Sequence, residues 1–165
     1  MIKKLLLTAA ATGMLCNLAY AADETKVGVG VGITDGCGGN GGTTVRAPIN
    51  LSNELRIEPE ISLNYSSGDH KDTTNLGVGT GLYLLNHPSS KINLYYGGKI
   101  LIRYHKDKER GQTNSNTEFA FGGTFGFEYL FDRHFSAGGE AGAYLGFGDM
   151  TIFTTQGLAL LRYYF

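Results

Sequence analysis

Cysteine is nearly absent from this chain. Only Cys16 and Cys37 occur in 165 residues, and Cys16 falls within the first, leader-like stretch. The remainder holds a single thiol, so no internal disulfide can staple it. An excess of basic charge is missing too: 14 Lys and Arg stand against 15 Asp and Glu. That balance offers no electrostatic footprint for nucleic acid. Beyond residue 21 no apolar run is long enough for a membrane helix. If the chain crosses a membrane, it must do so as a closed β-barrel, the other architecture that satisfies every backbone group in lipid.

Motifs for chemistry are also missing. Gly28-Val29-Gly30-Val31-Gly32 and Gly77-Val78-Gly79-Thr80-Gly81 alternate like strands, with no helix following. Gly36-Cys37-Gly38-Gly39-Asn40-Gly41-Gly42 lacks the Lys-Ser/Thr ending of a phosphate loop. Asp69-His70-Lys71-Asp72 and His105-Lys106-Asp107 repeat no metal-ligand spacing. No cofactor or metal is expected, and Cys37 reads as an incidental loop thiol.

The first residues do carry a signal. Lys3 and Lys4 precede a mostly apolar segment over 5–18, and Ala19-Tyr20-Ala21 is an A-x-A cleavage site. Residues 1–21 are read as a cleavable signal peptide and 22–165 as one domain. Gly13-Met14-Leu15 before Cys16 is a poor lipidation context, so cleavage after Ala21 is preferred.

Alternation dominates the rest. Eight segments read as strands, over about 26–34, 44–51, 55–65, 75–85, 91–104, 117–129, 135–145 and 153–165. Several reach the roughly 9–11 residues that a tilted membrane strand needs. Connections alternate between tight turns (52–54, 86–90 and 130–134) and longer polar stretches (35–43, 66–74 and 105–116). The stretch over 146–151 is a short exception. Such asymmetry fits a barrel with short periplasmic turns and longer outer loops. An even strand number would place both ends of the domain on the periplasmic side. Pro48 and Pro59 interrupt otherwise regular strands and predict a bulge or ladder break.

One face of every segment is free of charge. The opposite faces carry Arg46, Arg56, Lys99, Arg103 and Arg162 with Glu58, Glu60, Glu118, Glu128 and Glu140. An eight-stranded barrel is just wide enough inside for side chains to fill it. Ten balanced charges could pair there as a lumen network, and pairing through the turn at 52–54 sets Arg46 opposite Glu60. The glycines on these same faces, including Gly28, Gly81, Gly97, Gly122, Gly126 and Gly142, are expected to admit Tyr83, Tyr95, Tyr144 and Tyr164. Two aromatic groups flank the apolar band. Phe127, Tyr129, Phe131, Phe135, Tyr163 and Phe165 lie by the tight turns; Tyr65, Tyr104 and Phe153 lie by the long connections.

The final strand ends on Phe165, with Tyr163 and Leu161 on the same face. A terminus usually frays, and an apolar aromatic strand there is unusual. This tail resembles the C-terminal signature of Gram-negative outer-membrane β-barrels. The resemblance implies that Leu161, Tyr163 and Phe165 form an assembly signal read by the barrel assembly machinery. Over residues 22–165 the chain resembles the small opacity-type and outer-membrane protein A-type barrel domains, a porin-like superfamily. That implies an all-β, eight-stranded, antiparallel, up-and-down transmembrane barrel in the cell outer membrane. It also implies a monomer in contact with outer-membrane lipid and lipopolysaccharide, with a structural or surface-interaction role and no enzyme activity. The expected lumen is plugged by charged and Tyr side chains.

Three other readings stay open at this point. Lumen glycines could leave a narrow channel for small solutes. His134-Phe135-Ser136 with Glu140 superficially resembles the His-x-Ser element of outer-membrane lipid A deacylases, although Ala137 stands where that family has Asn. A soluble lipocalin-like binder would alternate equally well, with its apolar face inward.

Overall fold

The computed structural model describes residues 26–36, 42–67, 71–109, 112–148 and 151–165. Residues 1–21, expected to be a signal peptide, and Cys37 lie outside them. The described chain forms nine strand elements: β1 (Lys26–Gly36), β2 (Gly42–Arg46), β3 (Ile49–Asn50), β4 (Leu55–Ser67), β5 (Lys71–Ser89), β6 (Ile92–Glu109), β7 (Gln112–Leu130), β8 (Phe135–Phe147) and β9 (Thr151–Tyr164). All pairings are antiparallel, and from β4 to β9 each strand pairs with the next in sequence. β1 pairs back onto β9 from Gly28↔Tyr164 to Gly36↔Gln156. β2 and β3 are two parts of one stave, since both sit between β1 and β4. The result is a closed, eight-staved, up-and-down barrel, which leaves no sheet edge.

The break in the second stave falls at Ala47-Pro48. Proline has no N–H to give to a ladder. The chain bridges the gap with other groups: Ala47 N donates to Pro59 O, and Pro48 O accepts from Gly28 N, both at 2.9 Å. Register is kept across the gap, with Arg46↔Glu60 on one side and Ile49↔Ile57 on the other. The disturbance is therefore a ladder break and not a bulge.

Two polar stretches expected as long loops are mostly strand. β4 and β5 pair as far as Ser67↔Asp72, and β6 and β7 pair from His105↔Asn116 to Glu109↔Gln112. Polar residues on both faces hide a strand from any hydrophobic pattern. At the opposite end, β5 also runs further than expected. It stays paired to Ser89↔Ile92 after an irregularity beyond Asn86, so the turn falls on Ser90 and Lys91.

The two faces of the wall differ sharply. The outward face exposes Val31, Leu63, Val78, Leu82, Ile100, Ile102, Phe119, Phe125 and Leu161, among others. Inward positions hold the buried charges and tyrosines. Val27 and Ile49 depart from the pattern: they pair with each other and are buried although their alternation is outward. Near the tight turns the outward aromatics touch. Tyr129 meets Phe131 edge-on with centroids 5.2 Å apart, Phe131 stacks on Phe135 at 5.5 Å, and Tyr163 meets Phe165 at 5.6 Å. Phe165 does not fray, because its N–H donates to Val27 O at 2.9 Å and holds the closing seam.

Candidate functional site

Inward residues along β6 and β9 order the barrel interior from the tight-turn end upward. On β6 they are Asn93, Tyr95, Gly97, Lys99, Leu101, Arg103 and His105; on β9 they are Tyr164, Arg162, Leu160, Leu158 and Gln156. Charge fills the lower half, an apolar layer follows, and a second polar group lies above it.

The lowest layer is centred on Glu128. Its carboxylate accepts from Arg56 Nη2 at 3.0 Å, Tyr164 OH at 2.6 Å, Ser136 Oγ at 2.5 Å and Asn93 Nδ2 at 3.3 Å. Arg56 also donates Nε to Asn50 Oδ1 at 2.8 Å and Nη2 to Tyr164 OH at 2.9 Å. Above it, Arg162 Nη2 lies 3.0 and 3.2 Å from the two Glu58 oxygens. The Arg162 guanidinium also lies 5.2 Å from the Tyr95 ring centroid, within cation–π range.

The third layer joins four walls. Arg46 grips Glu140 with two hydrogen bonds, at 2.7 and 3.0 Å, and lies 2.9 Å from Glu60. Lys99 Nζ donates to Glu60 and Glu140, both at 2.9 Å. Four cations (Arg46, Arg56, Lys99 and Arg162) and four carboxylates (Glu58, Glu60, Glu128 and Glu140) are thus buried together. A buried charge is costly unless paired and hydrogen-bonded; here every one of the eight is in an ion pair.

Leu101, Ala120 and Tyr144 pack together above these charges, with Leu158 and Leu160 buried on the neighbouring wall. Still higher, Arg103 and Glu118 pair at 3.4 Å, with side chains 31% and 23% exposed. These last two residues therefore stand apart from the eight-charge cluster, in reach of water. His105 continues upward, 3.0 Å from Asp107, and Asp107 accepts from Thr73 Oγ1 at 2.8 Å.

Glycines make room for this filling. Each inward tyrosine faces a glycine directly across the ladder: Tyr83↔Gly97, Tyr95↔Gly126, Tyr144↔Gly122 and Tyr164↔Gly28. A Cβ on Gly126 would run into the Tyr95 ring. The lumen is crowded because side chains lie flat over bare backbone.

His134 and Ser136 form no catalytic pair. The exposed His134 ring stacks on Tyr163, with Nδ1 2.9 Å from Tyr164 O, whereas the buried Ser136 hydroxyl is given to Glu128. Glu140 is held by Arg46 and Lys99. In the same turn, Asp132 accepts from the amides of His134 and Phe135, both at 2.7 Å. Those two amides hold the carboxyl of this exposed residue below its ordinary range. Among the described residues no group of His, Cys, Asp or Glu is arranged to hold a metal ion.

Sequence reasoning placed the ten charges by their alternation. It missed their uncharged partners Ser136, Asn93 and Asn50, and the Leu101, Leu158 and Leu160 layer. Phase was the available signal, because all six fall on inward positions.

A family described as the outer membrane protein beta-barrel domain matches residues 7–160. The chain belongs to this family. It is an outer-membrane β-barrel protein, so the outward apolar wall meets lipid and the buried charges fill the lumen. That burial pattern is the reverse of a soluble lipocalin-like barrel. Solved structures share the fold. Neisserial surface protein A is 15% identical, with 86% of this chain and 96% of that one covered and a TM-score of 0.61. The N-terminal β-barrel domain of Pseudomonas aeruginosa OprF is 12% identical, covering 86% and 98%, with a TM-score of 0.59. Ail, the attachment invasion locus protein of Yersinia pestis, is 13% identical, covering 86% and 96%, with a TM-score of 0.55. No curated protein sequence matches the chain.

Proposed function

We propose that this barrel is a closed, monomeric outer-membrane protein with a structural or surface-contact role, and not a conduit or an enzyme. The observation that carries the reading is the pairing of Arg46 with Glu140 across the lumen, beneath the Leu101 and Tyr144 layer. An ion entering would meet a neutral, fully paired cluster and then an apolar constriction, and both disfavour passage. The inward glycines that might have left a narrow channel are covered by neighbouring side chains, among them Tyr95 over Gly126, Arg162 over Gly30, Leu101 over Gly79 and Glu118 over Gly146.

In this reading residues 1–21 are removed on export and the tight turns face the periplasm. The β6–β7 hairpin then stands at the cell surface. Outward positions along β6 run Ile100, Ile102, Tyr104, Lys106 and Lys108, all exposed. That order sets two cations just beyond an interfacial aromatic, where lipopolysaccharide phosphates would lie. Leu161, Tyr163 and Phe165 form the outward face of the last strand and serve as the signal for the barrel assembly machinery. Sugar uptake by proteoliposomes tests closure: swelling in arabinose no faster than in empty liposomes is expected. Swelling as fast as with a general porin would overturn it. Protease added to intact cells tests orientation, with cleavage expected in the 105–116 hairpin and none at 131–134.

A further inference from the structure

We propose that the tight-turn mouth of the barrel is a binding site for an oxyanion, a carboxylate or a phosphate group. All three tight turns converge there on a cup of about 270 Å³. Lys26 and Arg133 line it, and among the described residues no Asp or Glu does. Neither cation forms an ion pair with a described residue, whereas every charge deeper in the barrel is paired. Among the turn carboxylates, Asp132 is occupied by the amides of its own turn, and neither Glu54 nor Phe165 lines the cup.

The remaining lining is mostly uncharged and polar. His87 spans the wall, with Nδ1 2.6 Å from Asn93 Oδ1 and Nε2 2.6 Å from Asn53 O. Ser52 and Ser89 hydroxyls accept from the amides of Glu54 and Lys91, which leaves each O–H able to donate into the cup. Tyr164 closes the floor, its hydroxyl committed to Glu128. Two cations with no ion pair among the described residues, together with the Ser52 and Ser89 hydroxyls, form an arrangement that recognises an oxyanion. The cup opens along the barrel axis, so its ligand arrives from water and not from the bilayer plane. The site holds whichever side of the membrane this mouth faces.

The test is an amide-resolved NMR titration of the ¹⁵N-labelled protein in detergent micelles, at constant ionic strength with chloride as background. Sodium phosphate and sodium glutarate are the two probes. Saturable shifts at Asn53, Ser90 and Arg133 with either probe support the site, and the probe that saturates identifies its class. The double variant Lys26→Gln, Arg133→Gln should weaken binding about tenfold or more, and the charge-keeping pair Lys26→Arg, Arg133→Lys should retain it. Shifts that stay linear with both probes, or saturate equally in the Gln variant, overturn the proposal.

Discussion

Arg46 and Glu140 meet at 2.7 Å although their strands are not neighbours. β1 and β9 separate them around the wall, so the pair spans the lumen. Arg162 with Glu58 and Arg56 with Glu128 do the same from other walls. Pairs of this kind brace the barrel and fill it at once.

Removing one carboxylate from that brace strands its partners. Glu140→Ala leaves Arg46 and Lys99 buried with fewer acceptors, and should cost about 3–5 kcal/mol. Glu118→Ala breaks a pair that water already reaches and should cost less than about 1 kcal/mol. Reversible urea unfolding in phospholipid vesicles measures both. Equal losses would contradict the layered account.

The glycine opposite Tyr95 is a space requirement. Gly126→Val forces the ring aside and should cost about 1–3 kcal/mol, the usual range for overpacking. In a Tyr95→Ala background the same change should be nearly free. The double-mutant cycle should give a coupling of about 0.5–3 kcal/mol. Additive losses would mean that the valine is resisted by something other than the ring.

Depth governs the lipid face. Phe125 and Tyr129 are both outward on β7 and exposed, with Tyr129 beside the tight-turn aromatic group. Phe125→Arg should destabilise by about 2–4 kcal/mol and Tyr129→Arg by about 0–1 kcal/mol. Vesicle unfolding decides between this order and its reverse.

Phe165 holds the seam through Val27 and exposes its ring beside Tyr163. Deleting it should lower outer-membrane levels of the protein in cells, read by immunoblot of fractionated envelopes. Unchanged levels would remove its role as an assembly signal.

Much of this was legible before the structure. Strand number, the charge-free faces and the Arg46–Glu60 register follow from a period of two, because a one-residue slip would put Arg46 in lipid. What stayed hidden has physical causes. The Arg46–Glu140 contact depends on how far the walls stand apart, which no local pattern carries. The strand over 105–109 was concealed because Lys106 and Asp107 are both polar, on opposite faces. The Ala47-Pro48 disturbance was visible as a conflict, but only the kept register separates a break from a bulge. Lys26 and Arg133 lie far apart in sequence, so their shared cup appears only once the turns converge.

Closure of the lumen is the central claim, and single-channel recording tests it most directly. Purified protein reconstituted in planar bilayers in molar potassium chloride should give no steady conductance steps above the bare membrane. Long-lived, uniform steps in proportion to the protein added would contradict the account.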